Sequence, residues 1–311
     1  MEQNDKQPIV AIKCLVYNHE PYLRDCFEGF VMQQTSFPFV AIVHDDASTD
    51  KSADIIREYT EKYPDIFRPI YEIENQYSKG DGSLNQIMNA AIDATGAKYV
   101  AMCEGDDYWT DPKKLQKQVD ILEKDSTLMG VVTNSSVVDF DGKLLQPNRE
   151  VAKGGQGRYD LRYFIRNNNQ YPTLTVVYRN SHSAEVASMF EHTLNPFLGD
   201  WTLWIILHTF GDFYFLDEVT AAYRMNPTSV THTSNRVARA KANITICNSV
   251  ADILPPEYAD VVAQLRNTNW VWISLIFAYK HSHQYLRMCG AAIMALFRCP
   301  KSLFALVKKN R

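Results

Sequence analysis

Two short acidic runs stand out because each one ends an apolar stretch. Asp45 and Asp46 end the run FVAIVHDD, and Glu104, Asp106 and Asp107 follow the run YVAMC. Crowded carboxylates repel one another unless a cation neutralises them, and oxygen ligands suit Mg²⁺ or Mn²⁺. A cation held by few carboxylates takes its other ligands from phosphate and water, so a nucleoside diphosphate is the expected substrate. The alternative is that these acids only form turns, where Asp and Gly are common.

The segments that carry these acids alternate between strand and helix patterns. Apolar runs with β-branched residues predict strands at 9–16, 39–46, 67–74 and 99–103. Apolar residues at helical spacing predict helices at 21–34, from about 50 to Pro64, at 83–95 and at 112–125. This alternation predicts an α/β fold with a mostly parallel central sheet and helices on both faces. Since the carboxyl ends of parallel strands share one edge, both acidic runs should converge on one site.

The pattern changes after residue 125. Strands are expected at 129–140 and 173–179, helices near 183–190 and after Asp200, and a final hairpin within 213–224. The intervening stretch 142–170 contains Gly and Asn runs typical of a long surface loop. Residues 237–311 are expected to be mostly helical.

Three motifs resemble one known family in its order and spacing. The runs CLVYNHEPYL (14–23), VHDDASTDKS (43–52) and CEGDDYWTDPKKLQKQ (103–118) are similar to the N-terminal half of the family 2 glycosyltransferases, which have a GT-A fold. The resemblance is strong over the first 125 residues and weaker over 126–235. It implies a nucleotide-sugar-binding half at 1–125 and an acceptor-binding half with the catalytic base at 126–236. Residues 237–311 lie outside the resemblance, and their composition predicts a helical, basic C-terminal extension.

The resemblance also implies roles for residues on the donor side. Tyr17, Asn18 and Glu20 match the family's segment beside the nucleobase. Asp46, together with Asp45, matches the acid that hydrogen-bonds the base or the ribose, a task suited to a carboxylate because it only accepts hydrogen bonds.

A second set of matches concerns the metal. Glu104 and Asp106 match the family's DxD element, so Asp106 would contact the ribose or a Mn²⁺ or Mg²⁺ ion, with Asp107 or Glu104 completing the site. A later family element places a His near YR on the metal or the diphosphate. Asn226 occupies that place here, which leaves His232 as the expected ligand, with a structural role as the alternative.

Two further residues are candidates on the same grounds. Lys79 is expected to neutralise the donor phosphates, with a solvated surface charge as the alternative. Asp200 matches the family's base at the start of a helix, and its alternative role is to cap that helix. Trp201 and Trp204 follow it, and core packing is the simpler expectation for both, with sugar stacking as the alternative for one.

Charge is distributed unevenly along the chain, whose net charge is −4. No Asp or Glu follows Asp260, while eight Lys and Arg do, so residues 1–260 are strongly acidic. Such a body argues against nucleic-acid binding. The basic tail, which also contains Trp270, Leu286, Ile293 and Phe297, has the pattern of helices that lie on anionic membranes, and a helical cap or a dimer contact is the alternative. The N-terminus lacks a secretory pattern, so we expect a cytoplasmic protein, peripheral on the inner face of the membrane if the tail binds lipid.

These observations lead to one expected function and two alternatives. The expectation is a metal-dependent, inverting glycosyltransferase that moves a sugar from a nucleoside diphosphate, by default UDP, to a saccharide acceptor. A lipid-linked acceptor in surface polysaccharide synthesis and an oligomer are compatible with it. The alternatives are a nucleotide-binding protein of the same fold without turnover and a nucleotidyltransferase. The latter usually has a Gly-rich, basic phosphate loop after its first strand, and CLVYNHEPY contains none.

Overall fold

The computed structural model describes residues 7–149, 151, 154–167, 171–193, 199–225, 236–266 and 269–298. Strands and helices alternate over the first third of the chain, as the apolar patterns predict. The strands are β1 (Val10–Val16), β2 (Phe39–Asp45), β3 (Phe67–Tyr71) and β4 (Tyr99–Met102). Between and after them lie α1 (Leu23–Val31), α2 (Ser52–Lys62), α3 (Ser83–Ala94) and α4 (Lys114–Lys124), with a short strand β5 (Tyr108–Trp109) before α4.

The second half adds strands to the same sheet. They are β6 (Leu128–Val138), β7 (Leu144–Gln146), β8 (Gly157–Tyr159), β9 (Val176–Arg179) and β10 (Asp212–Arg224). The helices here are α5 (Leu161–Arg166), α6 (Ser183–Glu191) and α7 (Gly199–His208). Short 3-10 turns occur at Tyr77–Lys79, Thr173–Thr175 and Pro256–Tyr258.

One sheet of ten strands runs through both halves. Its order is β3-β2-β1-β4-β9-β6-β10-β5, with β7 paired to β6 and β8 to β10. Strands β3, β2, β1 and β4 are parallel neighbours, as predicted. Beyond β4 the sheet is mixed, because β9 is antiparallel to both β4 and β6 while β6 and β10 are parallel. The predicted α/β class is confirmed. The predicted boundary near residue 125 remains a prediction, since strands from both sides of it share this sheet.

Alternate residues of the central strands face two separate cores, which explains why these strands are apolar without a break. On one face Ile12 and Ala41 pack with α1, α2 and α4. On the other face Ala11 and Val100 pack with α3, α5, α6 and α7. Helices therefore cover both sides of the sheet, as expected from the sequence.

Two expectations for the second half are wrong. Residues 212–224 form the single strand β10 instead of a hairpin, and the sheet register shifts between Leu216 and Val219, where Asp217 and Glu218 are exposed. A polar pair inside a strand that bulges has the same sequence pattern as a turn. The described residues within 142–170 include β7, β8 and α5, so this stretch is not one long loop.

The C-terminal part is helical where the structure describes it. It contains α8 (Arg236–Ile253), α9 (Ala259–Arg266), α10 (Asn269–His281) and α11 (Tyr285–Arg298). Helices α8 and α9 belong to the main core through Val250 and Leu265, whereas α10 and α11 form a smaller apolar cluster with the start of α8. None of the described helices combines the length and apolar character that crossing a membrane requires.

Candidate active site

Both acidic runs are anchored to the end of β1, one on each side. The Asp46 backbone N–H donates to Val16 O (2.9 Å), and the Gly105 N–H donates to Leu15 O (3.0 Å). Gly105 is required here, because a Cβ at this position would lie 2.7 Å from His19 Nδ1. The parallel pairing of β2, β1 and β4 thus brings the acids to one edge, as the sequence predicts.

The loop after β1 and the loop at 48–51 hold each other in place by hydrogen bonds in both directions. Asn18 N donates to Ser48 Oγ (2.9 Å), and Asn18 Oδ1 accepts from Thr49 N (2.7 Å). In the same way Glu20 N donates to Asp50 Oδ2 (3.0 Å), and Glu20 Oε2 accepts from the Lys51 backbone N–H (3.1 Å). The predicted donor residues Asn18 and Glu20 therefore hold the loop at 48–51 in place, while the side chain of Tyr17 is exposed.

Asp45 and Asp46 are both buried and bonded to loop backbone. The carboxylate of Asp46 accepts from Gln76 N (2.6 Å) and from Tyr77 N (3.0 Å), and that of Asp45 accepts from Ser48 N (3.3 Å). This geometry supports a role in positioning loops. The predicted contact of Asp46 with base or ribose stays a prediction, and the exposed ring of Tyr77 lies beside it.

The second acidic run divides into an accessible part and a buried part. Glu104 and Asp106 are partly exposed, and the carboxyl of Glu104 has its pKa raised to about 7 by burial and by the nearby charges of Asp106 and Asp200, with Lys13 opposing. Asp107 is buried, and its Oδ1 accepts from Arg224 N (2.7 Å). Burial and Asp106 raise the pKa of Asp107 well above its usual range. These contacts argue for a structural role of Asp107 and against the predicted role as a metal ligand.

Asp200 lies in the first turn of α7 and faces the same cleft. Its Oδ1 accepts from Trp201 N (2.8 Å), and the residue is accessible to solvent although protein surrounds the carboxylate. That surrounding protein raises the pKa of Asp200, with Arg149 opposing. Its charge acts on Glu104, so the structure brings Asp200 and the acidic run together. Trp201 and Trp204 are buried in the main core, which confirms core packing as the simpler expectation.

Three cations that the motifs did not indicate complete the cleft. Lys13, in the apolar strand β1, is only 8 % exposed and lies near Glu104, with its Nζ 3.5 Å from Asn85 Oδ1. Arg149 lies near Asp200. Arg224 ends β10. The sequence signal for Lys13 was a single charged residue within an apolar strand. Arg149 and Arg224 come from distant parts of the chain, so no local sequence signal linked them to this site.

Arg224 is the residue with the most contacts in this region. It is 4 % exposed, and its Nε donates to Asp106 O (3.0 Å). Its other guanidinium nitrogens donate to Phe140 O (3.1 Å) and Asp25 Oδ2 (2.7 Å), and its side chain lies between the rings of Tyr22 and Tyr108. Arg224 therefore connects the Asp106–Asp107 turn to α1 and to the β6–β7 hairpin.

Two predicted residues, Lys79 and His232, are not shown to join this site, and one residue that was not predicted lies beside Asp106. Lys79 is exposed and pairs with Glu74 Oε2 (3.1 Å) and Gln76 Oε1 (2.9 Å), which favours the surface-charge alternative. His232 and Asn226 lie outside the described residues. His19 was not predicted, yet its Nε2 lies 4.0 Å from Asp106 Oδ2.

The carboxylate oxygens of this site suit a hard divalent cation that a substrate also binds. Glu104 and Asp106 offer accessible carboxylate oxygens, which are the ligands that Mg²⁺ and Mn²⁺ prefer. Among the described residues, no group of three or more His, Cys, Asp and Glu side chains is arranged to hold a metal ion. A cation here would thus depend on oxygens from a bound ligand for the rest of its coordination.

Comparison with known proteins agrees with this site. The family model described as "Glycosyl transferase family 2" matches residues 14–184, more than half of the chain, so the chain belongs to glycosyltransferase family 2. An uncharacterized protein of Mycobacterium tuberculosis (strain ATCC 25618 / H37Rv) is 32 % identical over 231 residues, which cover 72 % of this chain and 61 % of that protein. The chain therefore spans about three fifths of the length of this relative. An uncharacterized glycosyltransferase of Nostoc sp. is 28 % identical over 247 residues, covering 75 % and 71 % of the two chains.

Solved structures place the fold among the GT-A glycosyltransferases. Residues 1–349 of S. aureus TarS, solved in complex with UDP-GlcNAc, match with a TM-score of 0.62 at 15 % identity, covering 86 % of this chain and 79 % of that TarS chain. A mannosyltransferase from Pyrobaculum calidifontis in complex with GDP-Man and Mn²⁺ matches with a TM-score of 0.56 at 17 % identity, covering 93 % and 81 %. The GT-A fold expected from the three motifs is confirmed.

Proposed function

We propose that this protein is a metal-dependent, inverting glycosyltransferase that transfers a sugar from a nucleoside diphosphate to a saccharide acceptor. One observation carries this proposal: Asp200 lies close enough to Glu104, which follows β4, for its charge to raise the pKa of the Glu104 carboxyl. A carboxylate there can act as a base while acids and cations on the other side of the cleft hold a charged donor. Membership of family 2 supports the same reaction class.

The proposed reaction assigns each residue a step. Asp200 accepts the proton of the acceptor hydroxyl, whose oxygen attacks the anomeric carbon of the donor sugar. The bond from that carbon to the diphosphate oxygen breaks, and the nucleoside diphosphate leaves with the bonding electrons, so the configuration inverts. Asp106, with Glu104, would hold a divalent cation that neutralises the diphosphate. Arg224 keeps the Asp106 backbone in place.

The donor is proposed to be a UDP-sugar. This choice rests on the family resemblance and on the UDP-GlcNAc complex of TarS, while the Pyrobaculum enzyme was solved with GDP-Man. Tyr17 and Tyr77 present exposed rings near the end of β1, where a nucleobase would lie.

The experiment that tests this function is thermal unfolding in the presence of UDP or GDP, each with and without Mn²⁺. Wild-type protein should be stabilised by one nucleotide in a metal-dependent way, by about 2.7 kcal/mol at a ligand concentration near 100 times Kd. Asp106→Asn should lose the metal-dependent part, and Asp141→Asn, an exposed carboxylate on the β6–β7 turn, should keep it.

Thermal unfolding, combined with an assay for release of UDP or GDP from nucleotide sugars, separates the alternatives. No shift with either nucleotide contradicts the proposed function. A shift without release of UDP or GDP from any nucleotide sugar favours the nucleotide-binding protein without turnover.

We further propose a lipid-linked acceptor and peripheral binding to anionic membranes. Helix α11 packs on α10 through Met288 and Ala291, whereas Leu286, Ile293 and Phe297 line its opposite, exposed side. Leu286 is 92 % and Phe297 83 % exposed. Every Lys, Arg, Asp or Glu position after Asp260 is occupied by Lys or Arg. The exposed apolar side of α11 therefore lies in a positively charged segment, which attracts anionic lipid.

Co-sedimentation with lipid vesicles tests this surface. Wild-type protein should sediment with vesicles of phosphatidylcholine and phosphatidylglycerol, less so in high salt, and not with phosphatidylcholine alone. The double variant Leu286→Ser, Phe297→Ser should bind at least about tenfold more weakly, because two exposed apolar groups no longer enter the lipid. Ile73→Ser removes an exposed apolar side chain elsewhere and should have no effect. Unchanged binding by the double variant, or self-association that this variant abolishes, contradicts the membrane role.

A further inference from the structure

Arg149 is fixed in space by backbone contacts to the end of β6. Its own N–H donates to Ser135 O (2.8 Å), and the N–H of Val151 donates to Asn134 Oδ1 (2.9 Å). Arg149 and Val151 are thus each held against β6 by a backbone N–H, and the side chain of Arg149 extends from a defined point. A ligand-binding group gains from such preorganisation, because little backbone ordering remains to be done on binding.

The guanidinium of Arg149 lies over the ring of Tyr223 and near Asp200. It is 4.7 Å from the centre of the Tyr223 ring, and Tyr223 itself interacts with Asp106, Asp107 and Glu104. On the other side Arg149 interacts with Asp200. Packing against a ring face uses none of the five N–H donors of a guanidinium.

The other two cations of the cleft are engaged differently. Arg224 is buried, and its Nε, NH1 and NH2 donate to Asp106 O, Phe140 O and Asp25 Oδ2. Lys13 is buried between Glu104 and Asn85. Arg149 is half-buried, so its charge can be reached from the solvent that fills the cleft.

We propose that Arg149 binds a phosphate group of a substrate, beside Asp200 and above the Tyr223 ring. The proposal rests on the proposed function, which brings a diphosphate into this cleft. A guanidinium presents paired N–H donors that match two oxygens of a phosphate. The phosphate belongs either to the donor diphosphate or to a phosphorylated acceptor, and the experiment below distinguishes the two sources.

Calorimetric titrations of three variants test the proposal. Arg149→Gln removes the charge, Arg149→Lys keeps the charge without the paired donors, and Arg57→Gln is the matched control, since Arg57 also lies over a tyrosine ring, that of Tyr71 at 5.2 Å, but on the surface. The probes are UDP and UMP in the presence of Mn²⁺, and inorganic phosphate with and without saturating UDP. Thermal unfolding confirms that each variant is folded.

The outcomes show whether the phosphate comes from the donor or from the acceptor, and whether Arg149 has only a structural role. If the donor supplies the phosphate, Arg149→Gln weakens UDP binding roughly tenfold to a hundredfold, leaves UMP binding nearly unchanged, and Arg149→Lys lies in between. If the acceptor supplies it, UDP binding is unchanged and the binding of inorganic phosphate is lost instead. Variants that bind both UDP and phosphate as the wild type does overturn the inference. Wild-type protein that binds no nucleotide contradicts the proposed function, and the titration of phosphate alone still tests Arg149.

Discussion

Replacing Asp200 with asparagine is expected to lower kcat for sugar transfer by roughly 10²- to 10⁴-fold while nucleotide binding persists. Asparagine keeps the size of the side chain and an oxygen that can accept from Trp201 N, the bond Asp200 makes at the start of α7. It cannot take a proton from the acceptor hydroxyl. The loss should therefore appear in turnover, and the affinity for nucleotide, measured by calorimetry, should be that of the wild type.

The pH dependence of the reaction supplies a second readout. Protonated Asp200 cannot act as a base, so kcat/KM should fall as the pH drops through the pKa of this carboxyl. Burial raises that pKa, which moves the acidic limb to higher pH than for an ordinary aspartate. Asp200→Asn should lose the part of the limb that belongs to Asp200.

Asp160→Asn is a matched control for this prediction. Asp160 also accepts a backbone N–H in the first turn of a helix, from Tyr163 N at 2.7 Å, but on α5 and outside the cleft. It should retain wild-type turnover. Turnover in Asp200→Asn close to that of Asp160→Asn would leave Asp200 with only its helix-capping contact, and the base would have to be sought elsewhere.

Replacing Arg224 with glutamine is expected to reduce the free energy of unfolding by about 2–4 kcal/mol. The change removes charged hydrogen bonds to Asp106 O, Phe140 O and Asp25, and takes a cation away from the buried carboxyl of Asp107. Asp25 is exposed, so water replaces part of that ion pair and keeps the loss below the value for a fully buried pair. Urea unfolding at neutral pH measures the difference.

Arg24 provides the comparison for Arg224. It makes a two-pronged ion pair with Glu58, and both side chains are about half exposed. Arg24→Gln should therefore lower the free energy of unfolding far less than Arg224→Gln does. Equal losses in Arg224→Gln and Arg24→Gln would show that the contacts of Arg224 contribute little beyond those of a surface pair. Arg224→Lys, which keeps the charge, should recover part of the stability.

The acidic half of the site was predictable from the sequence, and the basic half was not. Acids that follow apolar strands mark the ligand edge of a parallel sheet whatever the rest of the chain does, so Asp45, Asp46, Glu104 and Asp106 were found together. The cations at 13, 149 and 224 reach the cleft from different strands and loops. The convergence of Arg149 and Arg224 depends on β6 and β10 being neighbours, and no local sequence pattern records that pairing.

The roles of the predicted site residues depend on which side chains are buried, and the spacing of residues in the sequence does not determine burial. Asp106 and Asp107 are adjacent, but consecutive residues point in different directions, and only Asp107 turns inward to the N–H of Arg224. Asn18 and Glu20 match the family's donor segment, yet their side chains meet the loop at 48–51 because the turn after β1 and the turn after β2 lie side by side. The prediction of a hairpin at 213–224 was wrong for a similar reason, because polar residues in the middle of an apolar segment are found both in turns and in bulged strands.

The reciprocal bonds between the two donor loops also bear on how donor preference can change over time. Asn18, Glu20 and Asp50 hold both loops at once, so a change at any of them alters two segments together. Tyr17 stands next to this brace with an exposed side chain, and it can be exchanged without disturbing those bonds. Under the proposed function, Tyr17 is a variable contact beside a constant frame, so a change at one codon is expected to alter nucleotide preference while the frame is inherited intact.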